Sequence, residues 1–446
     1  MTGAVVAIRS RRRLLVVLAG LLVVAAAMGT VVVASGGSGP RPRRAPDTTG
    51  PDSVAAVARL HAIQRVVTAR AAAVLHHDRA AFMATVDPQG GAFRRSEARI
   101  FANLAPVPLA AWSYAMTATP RRPPPDAARY GAPVWAPSHF ALHYRLAGFD
   151  ARPTDLPQYP TFVRRGGRWY LASLSDYATR GLISATDLWD YGPVQVLRRG
   201  NVLVLGAPSQ QATMTQVARE AAAAIGQVTA VWGHGWSQRA VVLVPATTRE
   251  MALIDDYHGD LAAIAALTSA EVSTAAGRPA PVGDRVTINP VAWPALSDIG
   301  AAVVIRHELT HVATRAVTGA QTPTWLSEGF ADYVGFRVAP VSVGVAAASL
   351  RRLIAVKGLP GALPSTRDFR STDPQLAAHY QAAWLACRYI AHRFGQATLV
   401  RFYRAVGTSS KQSPLALTSA LRDVLHLRLA SFVSRWRHYL RTELAS

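Results

Sequence analysis

Val303 to Val312 read VVIRHELTHV, two histidines and a glutamate set in an otherwise apolar run. On a helix advancing about 100° per residue, His307 and His311 stand one turn apart on the same face. Gly300, Val303 and Val304 share that face, while Ile305, Leu309, Val312 and Ala316 line the opposite one. A helix apolar on both sides is predicted to lie buried inside a domain. Two imidazoles and a carboxylate placed there cost free energy unless something satisfies them, and a divalent cation would do so.

Zinc takes imidazole nitrogens at about 2.0–2.1 Å, and two histidines four residues apart can both reach one ion. Glu308 sits about 100° round from His307, beside such an ion rather than on it, where it can meet a water. A catalytic site needs a third protein ligand. Glu328 is the candidate, within TPTWLSEGFADYVGF (322–336), where Pro323 and Thr324 open a second helix. Asp332 follows one turn later on the same face, placed to orient a ligand histidine. Gly329 and Ala331 are expected to let the two helices approach closely. The plain alternative is a buried helix with a few satisfied polar groups, and an ordinary acidic face at Glu328 and Asp332.

The pattern His307-Glu308-x-x-His311, followed by Trp325-Leu326-x-Glu328-Gly329-x-Ala331, resembles the gluzincin zinc metallopeptidases, specifically the peptidase MA-like group. The likeness extends over about residues 195–440, and only the motif region is specific. It implies a thermolysin-like domain, one Zn2+ held by His307, His311 and Glu328, Glu308 as general base, and Asp332 supporting a ligand. Thermolysin and the zinc aminopeptidases share this scheme. They also bring a tyrosine or histidine from a later helix near the substrate carbonyl. Tyr380, in HYQAAWLACRYIAHRFG (379–395), is the corresponding candidate for donating to an oxyanion, with His379 as its competitor and simple packing as the alternative. One departure stands out. Zinc aminopeptidases carry Gly-x-Met-Glu-Asn before the zinc helix, whereas GDRVTINPVAWP (283–294) has no acidic residue after Asp284. Endopeptidase action is therefore favoured over aminopeptidase action, with RVTIN (285–289) as a sheet edge for an extended peptide. The rival reading is an inactive zinc- or peptide-binding envelope protein, a sensor or scaffold.

Upstream, residues 54–87 show helical spacing in two pieces broken near His77-Asp78, and a third helix is expected around Arg95 to Leu104. HFALHYRL (139–146) alternates, and TFVRRGGRWYLA (161–172) has the form of a hairpin turning at Gly166-Gly167. Helices followed by a meander of strands, closing on GGRWYLAS, resemble the cone-shaped nuclear-transport-factor-2-like (NTF2-like) fold, assigned to residues 53–180. No catalytic constellation is seen there, and His76 and His77 read as surface residues. The second domain, 191–446, opens with a strand pair turning at Arg199-Gly200, a helix from about Gln211 to Trp232, and strands in RAVVLVPAT (239–247) and DRVTINP (284–290). Beyond Pro290 nearly everything reads as helix.

Leu14 to Ala34 are uncharged, and as a helix of about 31 Å they would cross a bilayer's hydrocarbon core. Arg9, Arg11, Arg12 and Arg13 before them favour an exported remainder. Residues 1–34 are accordingly expected to form a membrane-spanning anchor, or else a signal peptide cleaved after Val32-Val33-Ala34. Residues 35–52 form a Gly- and Pro-rich tether. The expected fold is α+β: an N-terminal membrane-spanning helix, an NTF2-like cone, then a thermolysin-like peptidase domain with a small mixed sheet and a largely helical C-terminal half. The expected localisation is the cell membrane, single-pass with the bulk extracytoplasmic, or secreted.

Composition bounds the partners. The chain has 446 residues, 50% of them hydrophobic and 17% charged, with a formal charge of +22. That charge is nearly all arginine, scattered without a basic run interleaved with aromatics, so no nucleic-acid partner is expected. The partners expected are a peptide or protein substrate and, through the N-terminal helix, a membrane. Cys387 is the only cysteine, so no intramolecular disulfide forms, and AAWLACRYI makes it a small buried hydrophobe.

Overall fold

The helical spacing from Val54 onward is realised in three helices: α1 (Pro51–Leu75), α2 (Arg79–Ala84) and α3 (Gly91–Leu104). The break falls where the sequence puts it. His77 takes a left-handed φ of 54°, and Asp78 caps α2 by accepting from the Ala81 amide at 2.9 Å. Six strands follow, β1 (Leu109–Met116), β2 (Val134–Trp135), β3 (Phe140–Leu146), β4 (Thr154–Pro157), β5 (Thr161–Arg165) and β6 (Arg168–Ser173). They form two three-stranded sheets, β1-β3-β4 and β2-β5-β6, rather than one meander. The β5–β6 hairpin turns at Gly166 and Gly167, whose φ values of 52° and 81° favour glycine. A short helix, α4 (Leu188–Tyr191), ends this part. Ile63, Val67, Phe140, Phe162 and Leu171 fill its core, beside a buried Arg70–Glu97 ion pair. A cavity of about 30 Å³ lies against that pair, room for about two waters.

The computed structural model describes residues 51–262, 264–273 and 280–445. These divide into two compact units, centred on residues 51–195 and on 196–269 with 284–445. The second unit contains β7 (Gln195–Arg199), β8 (Val202–Gly206), α5 (Gln211–Trp232), β9 (Ala240–Val244), α6 (Thr248–Ile254), β10 (Ala266–Ser273) and β11 (Ala280–Ile288). Helices complete it: α7 (Asp298–Thr314), α8 (Thr324–Phe336), α9 (Val343–Ala346), α10 (Ala348–Lys357), α11 (Leu376–Phe394), α12 (Gln396–Gly407), α13 (Ser413–Leu425) and α14 (Leu429–Ala445). Its five strands run in the order β10-β11-β9-β8-β7, with β8 and β11 both parallel to β9.

Two expectations about this unit are corrected. RVTIN lies in β11, which is flanked by β10 and β9, so it is an interior strand; the edge on that side is β10. And Gly329 faces α11, not α7. A Cβ on Gly329 would stand 2.3 Å from the Ala383 carbonyl oxygen, whereas Gly335 is the glycine that abuts α7, 3.1 Å from the Val303 carbonyl oxygen. Cys387 is fully buried, as its apolar surroundings predict.

The membrane-spanning helix is also corrected. Among the described residues no helix is long and apolar enough to cross a membrane. The longest, α1 with 25 residues, carries Arg59, Arg65 and Arg70, and α7 has only 17 residues. The run Leu14–Ala34 lies outside the described residues. Over the described residues the fold is therefore mixed α+β with no helix able to span a membrane, and the single-pass membrane localisation is withdrawn with it.

Candidate metal centre

Helix α7 starts at Ser297, whose hydroxyl accepts from the Gly300 amide at 3.2 Å. From Val303 to Thr314 every residue is buried, as an all-round apolar helix requires. His307 and Glu308 are 0% exposed and His311 7%; on α8, Glu328 is 1% and Asp332 3% exposed. Five ionisable groups thus lie together with little exposure to solvent. Nothing there would hold them cheaply unless they compensate one another or share a cation.

Their geometry is that of a ligand set. His307 Nε2 and His311 Nε2 face each other at 3.0 Å, and Glu328 Oε2 lies 3.4 and 3.6 Å from them. Two imidazole lone pairs at that distance repel unless a proton or a cation lies between them. Ligand atoms on a tetrahedral zinc with bonds of about 2.0–2.1 Å stand about 3.3–3.4 Å apart. The three observed edges bracket that spacing, and a single point about 2.0 Å from all three atoms exists. Both Glu328 oxygens are buried without a hydrogen-bond partner, the state expected of a carboxylate made to bind a cation.

Asp332 decides the tautomer of His307. Its Oδ1 lies 2.8 Å from His307 Nδ1, so the Nδ1–H donates to the carboxylate and the Nε2 lone pair is left toward His311 and Glu328. With no cation bound, the electrostatics favour a second proton, on Nε2 of that imidazole. Burial opposes charge on His307, but Asp332, then Glu328 and Glu308, outweigh it and raise the imidazole to about 10. Burial likewise opposes charge on Glu328, but His311 and His307 overcome it and lower that carboxyl to about 2. Burial pushes the Glu308 carboxyl up, against His307, His311 and Thr268. Burial also pushes the Asp332 carboxyl up, against His307, and the charge of the cluster is balanced by a proton on imidazole or by a metal cation.

Of the remaining predicted residues, Tyr380 is 1% exposed in the first turns of α11, its ring 5.0 Å from Phe369. Burial and then the carboxylates of Glu328, Asp332 and Glu308 push its phenol well above the ordinary range, so it stays protonated. His379 is turned elsewhere, its Nε2 3.8 Å from Asp373. With Asp368 it forms a second, partly exposed acidic group, but those carboxylates serve turns, accepting from the Ser365 and Gln375 amides at 2.7 Å each.

One residue at the site is absent from the sequence reading. Thr268, on edge strand β10, is 2% exposed and donates its hydroxyl to Glu308 Oε2. No motif marks it, since ALTSAEVS carries no chemistry-bearing pattern. Only the sheet order brings it over the α7 glutamate.

No family model and no curated protein matches the chain. Among solved structures it is similar to a point mutant of an M1 zinc metallopeptidase from Deinococcus radiodurans, at 14% identity, covering 75% of this chain and 70% of that one with a TM-score of 0.33. A second structure of that Deinococcus radiodurans mutant, bound to a Tyr-Ser-Ala substrate, gives 14% identity, 75% and 69% coverage, and a TM-score of 0.30. Likeness at this level defines no class for the chain. The side chains themselves carry its chemistry.

Proposed function

We propose that the protein is a zinc-dependent peptidase, with His307, His311 and Glu328 holding one Zn2+ and Glu308 as general base. The observation that carries this reading is the convergence of two imidazole nitrogens and one carboxylate oxygen, 3.0–3.6 Å apart, beside a fully buried glutamate. A bound zinc supplies Lewis-acid polarisation of a carbonyl and lowers the pKa of water toward about 7. The protein's own groups do the rest. Asp332 keeps the His307 lone pair on Nε2. Glu308 takes the proton as water attacks the peptide carbonyl and passes it to the leaving amine. Tyr380 donates its phenolic hydrogen to the oxygen that becomes negative.

Endopeptidase action is the favoured mode, because residues 283–294 carry no acidic residue after Asp284; the sheet edge for an extended peptide is not RVTIN, which lies in interior strand β11. For residues 53–180 we propose the NTF2-like cone, on the order of three helices followed by two packed sheets.

The test is metal analysis of the purified protein together with a peptide-library digest with and without chelator. One zinc per chain and chelator-sensitive cleavage are expected, and the products separate internal cuts from loss of single N-terminal residues. Glu308→Gln should keep its zinc and lose at least about 100-fold in rate. Equal cleavage by the Gln variant would refute the assignment, and full zinc occupancy without turnover would favour a binding protein.

A further inference from the structure

Glu308 has two carboxylate oxygens in unequal surroundings. Oε2 accepts from the Thr268 hydroxyl, and Oε1 is buried with no hydrogen-bond partner. Thr268 is the one described donor to this carboxylate. Its oxygen also stands 3.3 Å from the Glu308 main-chain carbonyl, but a hydroxyl has one hydrogen, and the charged oxygen is the stronger acceptor. The residue that makes this contact is itself held firmly. Leu267 before it is fully buried among Met251, Leu261 and Ile264. Ser269 after it donates to Asp255 at 2.9 Å, an oxygen that also receives the Thr287 hydroxyl of β11 at 3.1 Å.

We propose that Thr268 is a positioning residue that acts through Glu308: it occupies Oε2 and so reserves Oε1 as the oxygen that takes and returns the proton. The inference rests on the peptidase reading above. A carboxylate at the end of a three-torsion side chain can present either oxygen, and can turn its plane away from the reacting water. A hydroxyl on one oxygen removes that freedom. The bond also persists through the proton's passage. When Oε1 carries the proton, Oε2 is still an acceptor, so the Thr268 hydroxyl need not turn while Oε1–H is handed to the leaving amine. In this arrangement the edge strand sets the angle of the base.

The test compares Thr268→Val, which keeps the shape and loses the hydroxyl, with Thr268→Ser, which keeps the hydroxyl. The probe is the quenched-fluorescent library peptide that the wild-type protein cleaves fastest. We expect Thr268→Val to lose about 10–100-fold in kcat with KM within about twofold and zinc content unchanged. Thr268→Ser should recover to within about threefold of wild type. Placed on Glu308→Gln, the valine change should alter the residual rate by less than about twofold, because the two act as one unit. A second readout needs no turnover: crystal structures of the two variants should show the Glu308 carboxylate rotated or split in Thr268→Val and fixed in Thr268→Ser. Should Thr268→Val not fold, Thr268→Ala carries the same expectations. A valine variant with wild-type kcat, or with Glu308 unmoved, overturns the proposal. If wild type cleaves no library member at full zinc occupancy, the peptidase reading fails, and the Glu308 conformation in the variants still decides what Thr268 does.

Discussion

Asp332 shows what a single side chain contributes to the cluster. It touches His307 Nδ1 at 2.8 Å and leaves its own Oδ2 without a partner. Its effect is to fix which imidazole nitrogen carries hydrogen. Removing that control lets His307 spend part of its time in the tautomer that cannot ligate. Asp332→Asn is therefore expected to weaken zinc binding about 10–100-fold, measured by competition with a chromogenic chelator. An affinity unchanged by the substitution would mean that packing alone orients the ring. This residue was legible in the sequence, because its place one turn after Glu328 follows from helical spacing. Thr268 was not. Its partner lies 40 residues away, and nothing in a strand's own pattern says which helix lies opposite it.

Helices α7 and α8 were readable as elements for the same reason. Their apolar residues recur all round the helix, which only a buried helix tolerates, and Pro323 marks where α8 begins. The sequence also raised the idea that small residues bring helices together, but it assigned the wrong neighbour. Gly329 lets α8 pack against α11, where an added methyl would meet the Ala383 carbonyl at 2.3 Å. Main-chain atoms cannot swing aside as a flexible side chain can. Gly329→Ala should therefore cost at least about 1–3 kcal/mol, read as a lower urea midpoint. It should also disturb zinc binding, since Glu328 is the preceding residue. An unchanged midpoint would show that the two helices have room to separate. Strand β10 was missed for a related reason: Leu267 and Thr268 are consecutive and both buried, so the period-two alternation that reveals a half-exposed strand is broken.

At the level of the whole molecule, each unit has its own core and its own ionisable groups, and so its own response to solution conditions. The second unit should gain stability from zinc, by about 2.7 kcal/mol at a hundredfold excess over the dissociation constant, and lose it on chelation. The first should answer to pH through Asp190. Burial raises that carboxyl from 3.8 to about 7, assisted by Asp187 and Glu97 and opposed by a hydrogen bond from the Asp187 amide and by Arg70. Its folded pKa lies above the unfolded one, so the folded state binds the proton more tightly. The contribution is full below about pH 4 and is lost as pH rises through about 7. Thermal unfolding followed by a probe in residues 51–195 should fall by several degrees between pH 4 and pH 8. Asp190→Asn, which keeps an oxygen for the Asp187 amide, should flatten that dependence; a fall of equal size in the variant would trace it to other groups. Local chain order determined much of this protein: the His307-Glu308-x-x-His311 face, the helix bearing Glu328 and Asp332, the turns at Gly166-Gly167 and Gly200, and the long helix Gln211–Trp232 all follow from spacing within a few turns. Tertiary structure alone decided which strand is the edge, which helix Gly329 meets, and that a threonine 40 residues distant donates to the Glu308 carboxylate. Spacing along a chain says which side chains share a face, while what stands opposite that face is chosen by packing of the whole unit.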